Sequence, residues 1–157
     1  MQPLNLRQAP PRSCYAELDG LMLLPRTIDK LRGRLPGGDP GEYFISLGKI
    51  KGISAYLLER LGVSEGALAH AVATLERDDE VAAWLRERID PGRYPAINET
   101  LRRIKPKHTE DQAFFCELYA ETLALHPELE LIVDIVDADD RRLFANSSAT
   151  ARSRPDR

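Results

Sequence analysis

A mainly α fold, built as a single compact helical domain of six or seven helices, is what the 157-residue chain predicts. Apolar residues recur at three- and four-residue spacing along most of its length. Ser, Thr, Asp, Gly and Pro stand where such helices would begin and end. Length supplies the third observation: a chain of this size is one domain by default and buries about 70% of its unfolded surface, so it needs no staples.

Residues 1–13 are polar and proline-rich and read as a flexible N-terminal arm before a helical domain over 14–145. Leu21, Leu24, Ile28, Leu31 and Leu35 line one face of a helix, with Pro25 either in its first turn or kinking a longer one. The run Pro36-Gly37-Gly38-Asp39-Pro40-Gly41 ends it. Glu42 to Ser46 reads as a short strand, and residues 47–52 as a loop.

Ile53, Tyr56, Leu57 and Leu61 form the next helical face, closed by Gly62. Ser64 caps a helix through Leu68, Ala71, Val72 and Leu75. Asp78 caps one through Val81, Trp84, Leu85 and Ile89, and Asp90-Pro91-Gly92 is a turn. Pro95 or Ala96 opens a helix through Ile97, Leu101 and Ile104, which Pro106 closes. Thr109 and Gln112 form a capping box for a long helix to Leu125, broken by His126-Pro127. Residues 131–136 read equally as a strand or a helical turn; as a strand they would join residues 42–46 in a minor two-stranded element. Asp137 and Asp140 resemble a helix start, and residues 146–157 read as a disordered tail.

Composition narrows the function. The chain holds 22 Lys and Arg against 25 Asp and Glu, so no bulk positive field invites nucleic acid or an acidic membrane. Cys14 and Cys116 are far apart without CxxC spacing, which suggests reduced thiols in a cytoplasm. No apolar run is long enough for a signal peptide or a membrane span. The triplets at Asn98 and Asn146 are chance glycosylation matches without secretion.

The densest chemistry is Arg26, Lys30 and Arg34, spaced i, i+4 and i+8, with Asp29 beside them. The Pro-Gly turn would fold Glu42 and Tyr43 back over this stripe. Arg26, Asp29, Lys30, Glu42 and Tyr43 are therefore the candidate niche for an anionic group, held by charge-assisted hydrogen bonds. The plain alternative is a solvated face whose charges pair locally, worth about 0.3–0.5 kcal/mol per pair.

Other signals are weaker. Residues 57–72 resemble a helix-turn-helix, but Leu58 fills a position that is usually small and the would-be recognition helix carries no Arg, Lys, Asn or Gln. Acids outnumber bases between Ile53 and Ile89, the wrong balance for phosphates. An ordinary αα-corner is the better reading, and nucleic acid is not an expected partner. His70, His108 and His126 show no metal-binding spacing. Asp134, Asp137, Asp139 and Asp140 fail the EF-hand pattern, which would need Gly at Arg142 and Glu at Ser148. Gly48-Lys49 lacks the glycine and hydroxyl residue of a P-loop. No cofactor or metal is expected, and no catalytic residue is assigned.

Several pieces together resemble one bacterial family, the domain-of-unknown-function family numbered 5069. They are Pro11-Arg12-Ser13, Leu24-Pro25-Arg26-Thr27-Ile28-Asp29-Lys30, Gly41-Glu42-Tyr43, Leu61-Gly62-Val63, Asp78-Asp79-Glu80-Val81 with Trp84, and Asp137-Ala138-Asp139-Asp140 with Phe144. They fall in the family's order across residues 11–145. A Cys-Pro-Leu-Asp step that often follows Gly-Glu-Tyr in the family is replaced here by Leu47-Gly48-Lys49-Ile50-Lys51-Gly52. The resemblance implies a bacterial cytosolic protein and carries no established activity.

The leading expectation is a binding or interaction module for a small anionic ligand or a protein partner, with no membrane. The alternative is an enzyme of unassigned reaction using Asp29 or Glu42 as its acid–base group, and a less favoured third reading is a helix-turn-helix DNA-binding protein built on residues 53–76.

Overall fold

Helix α1 (Leu24–Gly33) lies inside the molecule rather than on it: nine of its ten residues are buried. The computed structural model describes residues 2–152. The architecture is mainly α, with eight α-helices and two small two-stranded hairpins among the described residues, one helix more than the sequence predicts at most.

The chain enters α1 through a hairpin. Strand β1 (Glu17–Leu18) pairs antiparallel with β2 (Leu21–Met22). The two-residue loop Asp19-Gly20 has φ of 55° and 81°, the double positive φ that suits the twist of a tight hairpin. Leu21 is therefore strand, not the first residue of the expected helix. Pro25 sits in the first turn of α1, where its missing N–H costs nothing. Asn98 fastens the hairpin by accepting from Met22 N at 3.0 Å and donating to the Gly20 carbonyl at 2.8 Å.

After α1 the Pro-Gly turn folds tightly onto the helix end. A Cβ on Gly38 would stand 2.7 Å from the Gly33 carbonyl oxygen, so only glycine fits there. The second hairpin pairs β3 (Ser46–Leu47) with β4 (Ile50–Lys51) around Gly48. This corrects the expected strand at 42–46, the loop at 47–52 and the pairing with 131–136: local turn closure at Gly48-Lys49 gives Ser46 and Leu47 a nearer partner.

Helices α2 (Ile53–Leu61) and α3 (Glu65–Thr74) meet at Gly62, whose φ is 68°, and Ser64 Oγ accepts from Ala67 N as the expected cap. Helix α4 (Asp78–Arg86) starts one residue earlier than expected: Arg77 is the flanking residue, and Glu80 accepts the Glu76 and Arg77 N–H groups. Helix α5 (Tyr94–Arg102) follows a short 3₁₀ turn. The expected long helix to Leu125 is two, α6 (Gln112–Leu118) and α7 (Ala120–Leu125), parted at Tyr119. Thr109 does not cap it; its hydroxyl donates to the Pro106 carbonyl.

Helix α8 (Ile132–Arg152) settles residues 132–136 as helix and puts Asp137 and Asp140 inside it rather than at its start. Backbone 146–152, expected as tail, continues α8; Met1 and residues 153–157 lie outside the described residues.

Leu24, Ile28 and Leu31 of α1 belong to a core with Leu57, Leu68, Leu85, Leu101 and Val133 from α2, α3, α4, α5 and α8. The expected flexible arm is a docked strap. Leu6 is buried, Leu6 N donates to the Asp39 carbonyl, and Asp39 N donates to the Leu4 carbonyl. No helix among the described residues is long and apolar enough to cross a membrane.

Candidate functional site

Because α1 is enclosed, its charges must find partners indoors. Arg26 is 1% exposed. Its Nη1 donates to Asp140 Oδ2 at 2.6 Å and to the Arg12 carbonyl at 3.1 Å. Tyr43 donates its phenol proton to Asp140 Oδ1 at 2.7 Å, and its ring centre lies 5.5 Å from the guanidinium carbon. One carboxylate thus holds both Arg26 and Tyr43. Burial opposes the guanidinium charge, but the neighbouring anion offsets that and Arg26 stays cationic. Its Nε is buried without a hydrogen-bond partner among the described residues.

Lys30, one helical turn on, is 4% exposed. Its Nζ donates to the Phe44 carbonyl at 3.0 Å and to Ser54 Oγ at 3.1 Å. No salt bridge reaches it from any carboxylate among the described residues. Burial, reinforced by the Arg26 charge, pulls its pKa down to about 7.

Arg26 and Lys30 line a cavity of about 300 Å³. Tyr43 and Glu42 line it from the segment after the Pro-Gly turn, and Ile53, Leu118, Val136 and Phe144 supply apolar wall. Glu42 is exposed at the rim. Two further charges in the wall are already satisfied: Arg7 pairs with Asp39 at 2.8 Å, and Asp139 with Arg142 at 3.0 Å. Burial and the Asp140 hydrogen bond raise the pKa of Tyr43, and burial raises that of Tyr119, another wall residue, so both remain phenols. Gly52 completes the wall; a Cβ there would stand 2.9 Å from the Ile45 carbonyl oxygen.

Four of the five residues singled out from the sequence, Arg26, Lys30, Glu42 and Tyr43, therefore share one cavity. Asp29 does not line it. At about 100° per residue, Asp29 lies roughly 60° around the helix from Arg26 and on the side away from Lys30. There Arg12 grips it, with Nε and Nη2 on its two oxygens at 2.9 and 2.8 Å and the Arg12 backbone N–H at 2.8 Å. Asp29 and Glu42 thus do not converge on one concave site. Arg34 also points elsewhere, pairing with Glu65 at 2.5 Å. Arg26 and Lys30 are not the solvated face that charge periodicity suggests.

Sequence reasoning passed over Asp140, Arg12 and Ser54. Asp137, expected as a cap, instead accepts from Ser13 Oγ and from Cys14 N, tying the strap to α8. Cys14 is fully buried, and burial pushes its thiol up to about 12, an inert core position. The signal that marks Arg12, Asp137 and Asp140 is the set of pieces carrying the family resemblance, whereas Ser54 lies outside every one of them. Arg12, Ser13, Arg26, Asp29, Tyr43, Asp137 and Asp140 interlock around one end of α1.

No curated protein matches the chain. The model of the family described as Domain of unknown function (DUF5069) matches residues 8–142. That stretch holds the strap from Gln8 onward, α1, the carboxylates of α8 and the cavity lining except Leu6 and Arg7 before it and Leu143 and Phe144 after it, and the chain belongs to the DUF5069 family.

Proposed function

We propose that the protein is a small-molecule-binding domain of a bacterial cytosol, whose cavity takes a small organic anion with an apolar body. The observation that carries this reading is Lys30: a buried amine beside a cavity, without a carboxylate in salt-bridge contact among the described residues. A buried ammonium without a counter-ion costs several kcal/mol. An incoming carboxylate or phosphate supplies the missing counter-charge, and the unpartnered Nε of Arg26 gives it a second donor.

The apolar walls take the body of the ligand, and the cavity volume falls at the small end of ligand pockets. Tyr43 closes one side, and Glu42 at the rim orients a donor group on the ligand.

The test is thermal unfolding with acetate, benzoate, inorganic phosphate and phenyl phosphate, on the wild type and on Lys30→Met. Benzoate or phenyl phosphate raises Tm of the wild type above the shift given by acetate or inorganic phosphate, and Lys30→Met loses that gain. Equal shifts in both proteins, or none with any of the four, would refute the reading.

A further inference from the structure

Resting on the anion-site reading above, we propose that Lys30 forms a reversible imine with a carbonyl ligand, an α-keto acid with an apolar side chain whose carboxylate is held by Arg26. The ligand class follows from spacing. An α-keto acid carries its carboxylate and its carbonyl on adjacent carbons. Arg26 and Lys30 occupy adjacent turns of one helix face and line the same cavity. Arg26 lines the cavity, and its Nε has no hydrogen-bond partner among the described residues. Ile53, Leu118 and Val136 offer apolar surface for the side chain.

The hydrogen bonds of Lys30 suit a neutral amine. A free amine has two N–H groups and one lone pair. The Phe44 carbonyl and Ser54 Oγ are two partners, so both N–H groups are used and the lone pair is left over. Burial keeps a large fraction of Lys30 in that form near neutrality.

The step balances without an oxidant. The Nζ lone pair forms a C–N bond to the ketone carbon, and the C=O π pair moves onto oxygen. Two protons, in sum those of the amine, reach that oxygen. The C–O bond then breaks, water leaves, and the C=N bond forms. Tyr43 and Tyr119, both phenols in the cavity wall, can relay those protons. The apolar walls limit water and so slow the reverse hydrolysis.

The test treats the wild-type protein with α-ketoisocaproate and sodium cyanoborohydride at neutral pH, the hydride reducing the imine carbon to a stable secondary amine. Peptide mass spectrometry locates the adduct, one ligand less one oxygen atom. The expected result is labelling concentrated at Lys30 over Lys49, Lys51, Lys105 and Lys107, by up to roughly a thousandfold, the ratio of free-amine fractions at pH 7 between an amine of pKa about 7 and an ordinary lysine. Lys30→Arg keeps the cation and loses the adduct. Labelling spread evenly over the lysines, or none, overturns the imine. A parallel titration with α-hydroxyisocaproate, which has no carbonyl, separates the two readings. If it binds while Lys30 stays unlabelled, the imine falls and the anion site stands; if it does not bind and Lys30 stays unlabelled, both fall.

Discussion

Arg26 and Asp140 lie 114 positions apart in the chain, yet their side chains meet at 2.6 Å with the arginine 1% exposed. The strap, α1, the Tyr43 segment and α8 all converge on that pair. Asp140→Asn keeps the shape and removes the counter-charge, leaving a buried guanidinium unbalanced. It should cost about 3–5 kcal/mol in urea unfolding. The double variant Arg26→Met with Asp140→Leu should be less destabilised than Asp140→Asn. A double variant that is worse than the single would show the ion pair to be stabilising on balance.

Lys30 gives a stability signature with a defined sign. Its folded pKa, about 7, lies below its unfolded value, so between them the unfolded chain binds the extra proton. Stability should therefore rise with pH from about 7, by at most ~1.4 kcal/mol per unit. Cys14 works the other way: its thiol is raised in the fold, so its contribution is lost once unfolded thiols ionise, near pH 8.5. The clean window is pH 7 to 8.5. Lys30→Met should flatten the slope there, measured as urea midpoints at each pH, and an unchanged slope would place the titration elsewhere.

How much of this was legible in the sequence follows from which interactions are local. The αα-corner at Gly62 and the Ser64 cap depend on neighbours a few residues away, and both stand where periodicity and capping place them. The niche was legible in part, because Arg26 and Lys30 share a helical face and the Pro-Gly run forces a turn. Their burial was not legible. An apolar stripe marks one face of α1 and is silent about a strap and α8 covering the other. Asp140 reads as a helix start because a distant arginine leaves no local trace. The first hairpin, by contrast, had a local signal in Asp19-Gly20, which the helical spacing of Leu21 and Leu24 obscured.

The strap makes Asp29 a structural residue. Arg12, with its side chain 40% exposed, binds Asp29 and also Asp78 at 2.7 Å. Arg12→Ala should lower stability by about 1–3 kcal/mol and speed proteolytic cutting of residues 2–11. Asp29→Asn should do the same while leaving anion affinity within about twofold. A large affinity loss in Asp29→Asn would return Asp29 to the ligand site.

Asn98, a glycosylation-like triplet in the sequence, is instead a buried clip between α5 and the hairpin. Asn98→Leu removes both bonds and leaves the Met22 N–H unsatisfied, a cost of about 1–3 kcal/mol. Hydrogen exchange at Met22 should accelerate. Unchanged exchange would mean another group takes over as acceptor.

The most direct test is an NMR titration of the Lys30 side chain, followed with and without saturating α-hydroxyisocaproate. The free protein should show Lys30 titrating near pH 7, apart from the other lysines, and the bound anion should move that midpoint upward by one unit or more, about tenfold in proton affinity. A Lys30 that titrates with the exposed lysines, or a midpoint that no amount of the anion moves, would contradict an anion site built on a buried, unbalanced amine.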